Sequence, residues 1–168
     1  MDNNHLTQEI NSEKFKKEIH CLISKINNFI YLGSYEHPVI QSEEFEKLGI
    51  DVIINCTAAI DLLKFSSLNE EENKYIIEKI PIVDGDFNSF MEFMDKAVAT
   101  IIKYLEKGKK IYIHCHKGIS LAPAILIYYL MINKQFSYNK AFSLLKEKRP
   151  FIDINPRIEN ALKLVDEN

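Results

Sequence analysis

The segment Ile111-Tyr-Ile-His-Cys-His-Lys-Gly-Ile-Ser-Leu-Ala-Pro-Ala124 constrains the fold more than any other part of this chain. It reads as a buried strand that ends in a cysteine, a tight glycine-containing loop, and the start of a helix in which Pro123 is tolerated in the first turn. That layout sets a thiol at the bottom of a ring of backbone N–H groups. Loop amides and a helix N-terminus both present partial positive charge, so such a ring is an anion site, and the same setting favours the reactive thiolate of a cysteine. The segment contains no arginine, and the whole chain has two, Arg149 and Arg157.

The rest of the chain alternates in the same way. Phe29-Ile-Tyr-Leu-Gly33 reads as a strand, and residues 42–48 as a short helix capped by Ser42 and stopped by Gly49. Asp51-Val-Ile-Ile-Asn55 has the continuous apolar run of a strand in a parallel sheet. Residues 58–74 hold a weak helix and an acidic loop, and residues 75–82 a further strand. After the loop Asp84-Gly-Asp-Phe-Asn88, the residues Phe90, Phe93, Met94, Ala97, Val98, Ile101, Ile102 and Leu105 share one helical face that ends at Gly108. The run Lys107-Gly-Lys-Lys110 reads as the solvated end of that helix. Helices are then expected over residues 121–133, from the Ser137 cap to Lys148, and from Asn155 with Pro156 at its first position. Strands alternating with helices predict an α/β fold: a twisted, mainly parallel central sheet flanked by helices. No pattern is readable around residues 34–42 and 60–74.

Ahead of one domain over residues 25–168, residues 1–24 read as a helical arm, with Leu6, Ile10, Phe15, Ile19, Leu22 and Ile23 at roughly helical spacing. The arm packs either on its own domain or on a second copy, which would give a homodimer. A net charge of −3 argues against nucleic acid as the main partner. Three widely spaced cysteines (Cys21, Cys56 and Cys115) show neither a disulfide framework nor zinc-ligand spacing. They suit a reducing compartment, so the cytoplasm or nucleus is expected. No signal-peptide pattern is read, and no apolar run approaches the ~18 residues of a membrane span, so no membrane partner is expected.

Five segments, in order, carry a resemblance. His114-Cys115-x-x-Gly118-x-Ser120 resembles the signature of the cysteine-dependent protein phosphatases of the dual-specificity type, within the protein tyrosine phosphatase superfamily. Phe29-Ile-Tyr-Leu-Gly-Ser34 and Leu48-Gly-Ile-Asp-Val-Ile-Ile-Asn55 are similar to that family's first two strands. Ile80-Pro-Ile-Val-Asp84 resembles its general-acid segment, and Arg149-Pro-x-Ile152 with Asn155 a segment near its C-terminus. The match spans residues 27–163, and the short chain with its arm is similar to poxvirus-type members, for which the resemblance implies arm-exchanged dimers.

The resemblance implies that Cys115 is the nucleophile of a phospho-cysteine mechanism without metal or cofactor. Asp84 would protonate the leaving oxygen and later activate water, with Asp86 its rival for that role. His116, Lys117, Gly118, Ile119, Ser120 and Leu121 would form the phosphate-binding loop. His114, Ala122 and Asn155 would support it, although Asn155 also reads simply as a helix cap, and Cys115 as a small buried hydrophobe. A metal site built on His114, Cys115 and His116 is not expected, because successive strand residues point to opposite faces.

The departure from the family is local. Its pattern is His-Cys, five residues, Arg, then Ser or Thr; here those last two positions are Leu121 and Ala122. Leucine has neither the charge nor the planar fork that grips a phosphoryl group. Loss of such an arginine costs about 10³–10⁵-fold in rate. Lys117, Arg149 and Arg157 are the candidate substitutes. Two functions remain open: a pseudophosphatase or very weak phosphatase that binds a phosphoprotein or other protein partner, and an active tyrosine/serine/threonine phosphatase with a substitute cation. Redox chemistry at the thiol is a third, minor one.

Overall fold

The computed structural model describes residues 22–40, 42–64 and 74–167. Five strands form one sheet: β1 (Ser24–Lys25), β2 (Ile30–Ser34), β3 (Val52–Asn55), β4 (Ile76–Lys79) and β5 (Ile111–Cys115), in the order β1-β2-β5-β3-β4. β1 runs antiparallel to β2, and the other three pairings are parallel. The mainly parallel α/β sheet read from the sequence is therefore present. Its middle strand, β5, delivers Cys115 to the C-terminal edge of the sheet, where α/β folds place their ligand sites.

The alternation of strand residues sorts the core into two layers. Ile30, Leu32, Val52, Ile54, Ile111 and Ile113 face helices α3 (Phe87–Glu106), α4 (Leu121–Lys134), α5 (Tyr138–Lys148) and α6 (Pro156–Asp166). Tyr31, Ile53 and Tyr112 face a thinner layer built on Phe45, Leu62 and Tyr75. That layer includes the short helices α1 (Glu36–Ile40) and α2 (Glu43–Lys47). Every residue of α4 from Leu121 to Met131 is buried, the mark of a helix sunk in the core rather than laid on it. Among the described residues, no helix is long and apolar enough to cross a membrane.

Several expectations change in detail. The strand expected over residues 75–82 is a ladder over Ile76–Lys79 alone. Past it, Ile80 N–H still bonds Asn55 O at 2.8 Å, but Ile82 N–H turns back to Ile80 O across Pro81, and the chain leaves the sheet. The run at Lys107–Lys110 is not merely a solvated end. The Asp51 carboxylate takes Lys110 N–H at 2.8 Å and Lys109 Nζ at 3.4 Å, and so ties the start of β5 beside β3. Helix α1 lies where no pattern was readable. Most of the arm, residues 1–21, falls outside the described residues; Ser24 at its end is a strand residue, paired with Leu32.

Gly33 shows how closely the layers meet near the cysteine. A Cβ there would collide with the Tyr112 hydroxyl, which donates to Ser34 O at 2.6 Å. Gly33→Ala is expected to destabilise the protein by about 1–3 kcal/mol, the usual cost of overpacking. In a double-mutant cycle with Tyr112→Phe, urea denaturation should show a combined cost below the sum of the two. Strict additivity would rule out the contact as the cause.

Candidate active site

The loop after β5 is shaped by what its carbonyls do. His116 O accepts from Tyr35 N–H at 3.4 Å, Ile119 O from Asp153 N–H at 3.0 Å, and Ser120 O from Ala124 N–H at 2.9 Å. Lys117 O and Gly118 O accept from the Arg149 guanidinium, at 3.1 Å from Nη2 and 2.7 Å from Nε. Five successive carbonyls are thus tethered away from the loop's centre. Among the described residues, no backbone N–H of residues 117–120 donates to a protein acceptor. Backbone donors left free at a pocket are what an anion requires. Gly118, at φ 67°, makes the turn, and a Cβ on it would lie 2.5 Å from Gly33 O and 2.8 Å from Arg149 Nη2. Both the left-handed backbone and the missing side chain are therefore needed there.

Arg149 is wholly buried. Besides the two loop carbonyls, its Nη1 donates to Leu22 O at 2.6 Å and Ser24 Oγ at 3.0 Å, and its plane lies 4.4 Å from the Phe151 ring centroid. None of these partners is a carboxylate, and burial pulls its pKa down to about 10. The guanidinium stays charged at neutral pH, held among the described residues by oxygen dipoles and the Phe151 ring.

The loop opens into a pocket of about 590 Å³. Cys115, Ile119, Ser120 and Leu121 line it from the loop side, Thr57, Ala59 and Ile60 from another segment, and Ile82 and Asp84 from a third. His116 and Lys117, both exposed, complete the lining. The 57–60 segment is pinned by Asn55, whose Oδ1 accepts from Thr57 N–H and Oγ1 at 3.1 and 2.9 Å and whose Nδ2 donates to Ile60 O at 2.7 Å. At the mouth, Tyr35 stacks on His116 with centroids 5.2 Å apart.

Asp84 and Asp86 have different surroundings. Asp84 lines the pocket. Asp86 is the N-cap of α3, its Oδ1 accepting from both Asn88 and Ser89 N–H at 2.9 and 3.3 Å, and it does not line the pocket. Leu121 lines the pocket at 3% exposure, whereas Ala122 is buried in the core behind it. Asn155 caps α6 through its side chain, accepting from Arg157 N–H at 2.9 Å, and its own N–H donates to Ser120 Oγ at 3.0 Å. Arg157 lies over Phe87, 5.0 Å from the ring centroid, and neither arginine lines the pocket. The Asn55 staple and the Tyr35 stack were missed in the sequence. Asn-x-Thr at residues 55–57 carried a signal for the first, as a side chain that bonds the backbone two residues on; nothing local announced the second.

His114 is buried on the face opposite Cys115. Its Nδ1 lies 2.9 Å from Cys115 O, so Nδ1 carries the proton, while Nε2 is buried with no partner. Burial lowers the ring's pKa from 6.5 to about 4.

The family model for the dual specificity phosphatase catalytic domain matches residues 30–167. The chain belongs to this family. "Putative tyrosine-protein phosphatase AMV078" of Amsacta moorei entomopoxvirus is 32% identical over 145 residues, covering 84% of each chain. Dual specificity protein phosphatase 1 of Mus musculus is 28% identical over 131 residues, 78% of this chain but 34% of that protein. The chain thus spans about a third of the length of that relative. Among solved structures, DUSP15 superposes with a TM-score of 0.73 at 18% identity, covering 86% of each chain. The human tyrosine phosphatase-like serine/threonine/tyrosine-interacting protein gives 0.69 at 22% identity, over 86% of this chain and 95% of that one. These two likenesses are of fold.

Two outcomes follow from the buried groups. Between pH 6.5 and about 4 the unfolded chain binds a proton at His114 that the folded protein refuses, so stability falls as pH drops through this window and is level above it. Urea unfolding at pH 7 and pH 4.5 should show an acid loss about 2–3 kcal/mol smaller in His114→Asn than in the natural protein; equal losses would acquit the ring. Arg149→Lys, which keeps the charge but not the fork, should cost about 2 kcal/mol or more and speed amide hydrogen exchange in residues 116–120. Unchanged exchange there would mean that the loop holds its shape without the fork.

Proposed function

We propose that this chain is a pseudophosphatase or very weak phosphatase, acting by binding a phosphoprotein through the pocket above Cys115. The single observation that carries this reading is where the two arginines lie. Arg149 is committed beneath the loop and Arg157 lies on Phe87, while Leu121 fills the position of the family's phosphate-gripping arginine at the pocket wall. The untethered amides of the loop support anion binding without that arginine. In the proposed site Cys115 stands where the nucleophile would be, and Asp84, which lines the pocket, is the acid in preference to Asp86, which caps α3 through Oδ1 and lies outside the lining. Ala122 leaves the departing thiolate without a hydroxyl. A protein of the same fold is by name phosphatase-like and an interacting protein, which fits this division of labour.

A second reading has one observation in its favour. Lys117 lines the pocket, and its ammonium would serve as a substitute cation for slow turnover on tyrosine, serine or threonine phosphates. A point charge lacks the bidentate geometry of the fork, so turnover would stay far below that of an enzyme with arginine.

Purified protein assayed on p-nitrophenyl phosphate separates the two readings. Turnover is expected to match that of Cys115→Ser, and Leu121→Arg with Ala122→Ser should raise it by about 10²-fold or more. Natural turnover that vanishes in Cys115→Ser and in Lys117→Ala would favour the second reading. No gain in the doubly restored variant would overturn the assignment of the loop.

A further inference from the structure

Leucine at position 121 adds no charge to the pocket, and the formal charges of the lining cancel. Among the described residues, the lining carries one acid, Asp84, and one lysine, Lys117; both are exposed, so water screens them. Its other titratable groups are Cys115 and His116, the latter stacked on Tyr35 at the mouth. Arg149 lies behind the loop, where its guanidinium is engaged by Lys117 O and Gly118 O. What the loop offers an anion is therefore dipolar: the N–H groups of residues 117–120, none of which donates to a protein acceptor among the described residues. Ala59, Ile60, Ile82, Ile119 and Leu121 give apolar walls around a space of about 590 Å³, room for an aromatic ring as well as the anion.

A pocket of dipoles discriminates by the number of charges on its ligand. The cost of taking an ion out of water rises as the square of its charge, so a dianion costs about four times as much as a monoanion. The attraction to a fixed dipole rises only in proportion, so it about doubles. An arginine fork closes that gap, because its full charge counters the ligand's second one. Leucine widens it by adding apolar wall. A thiolate at Cys115 would widen it further, since it repels two charges more than one. A tyrosine phosphate is mostly doubly charged at neutral pH, because its second pKa is about 6. A tyrosine sulfate has the same tetrahedral oxygens and carries one charge throughout this range.

We propose that this pocket prefers a singly charged tetrahedral oxyanion on an aromatic ring, either a sulfate ester or a phosphate ester that has taken up one proton, over the doubly charged phosphate. The inference rests on the binding reading given above and narrows its ligand. A tyrosine-phosphorylated protein binds best in acid, and its hold weakens as pH rises through about 6. A tyrosine sulfate keeps its hold across that range.

The test titrates the full chain by calorimetry with two peptides of one sequence, bearing tyrosine O-sulfate or tyrosine O-phosphate, at pH 7.5 and pH 5.5. At pH 7.5 the sulfate should bind about tenfold or more tighter, and at pH 5.5 the gap should close to within about threefold. Tighter binding of the phosphate at pH 7.5, or a gap that does not change with pH, would overturn the preference. The closing should persist in His116→Gln; a gap that stays open there at pH 5.5 would trace the change to the ring and defeat the proposal. Leu121→Arg should reverse the order at pH 7.5, and the ratios in the natural protein decide the matter even if that variant fails to fold. Binding of neither peptide at either pH would overturn the binding reading of the pocket itself, and this inference with it.

Discussion

Arg149 carries a full charge into a place that water does not reach, and three carbonyls and one hydroxyl are arranged around it. Burying a guanidinium without a carboxylate is costly, and it is sustained only because each arm of the fork meets an oxygen. The reward is positional. Two of those oxygens belong to Lys117 and Gly118, so the fork turns their peptide planes, and the N–H groups on the far side of those planes have no protein acceptor among the described residues. The loop becomes a cradle because its other side is tied down. Tyr35, Asp153 and Ala124 do the same for the three remaining carbonyls. The close approach of Gly118 to Gly33 belongs to the same contact, since a side chain at position 118 would press on both Gly33 O and the Arg149 guanidinium and push the loop off its support.

This scaffold is separable from the charge that would grip a phosphoryl group. Leu121 stands at the pocket wall where, in the proposed reading, that charge would be, yet the tethers that shape the loop run through Arg149, Tyr35 and Asp153 and do not involve position 121. A chain can therefore give up the catalytic fork and keep the anion-binding backbone. Cys115 and Asp84 remain in the pocket, and the apolar lining from Ala59, Ile60, Ile82 and Ile119 offers contact area to whatever group carries the anion. These features fit the proposed reading of binding without efficient turnover.

The sequence disclosed what depends on local pattern. The strands β2, β3 and β5, the long helix α3, the buried helix α4 and the caps Ser42, Ser137 and Asn155 were all legible, because periodicity and capping act within a few residues. That Leu121 stands where the family resemblance expects arginine was equally plain, since it needs only a count from Cys115. What stayed hidden depends on contacts across the chain. Arg149 was named only as a candidate substitute cation, and its grip on a loop 31 positions away has no local sign. Asp84 and Asp86 were indistinguishable until the α3 cap claimed one of them. The length of β4 was overestimated because an apolar run does not reveal where the ladder lets go at Pro81.

The reach of Arg149 also sets an order in time. It joins Leu22, 127 positions before it, to a loop made 31 positions before it. During synthesis the cysteine emerges first, on a loop whose carbonyls at Lys117, Gly118 and Ile119 still lack their donors, and closing so long a chain segment is slow by the entropy of the intervening residues. The cradle is therefore among the last parts of this domain to mature. Until residue 149 arrives, Cys115 sits on backbone that has not yet acquired its form.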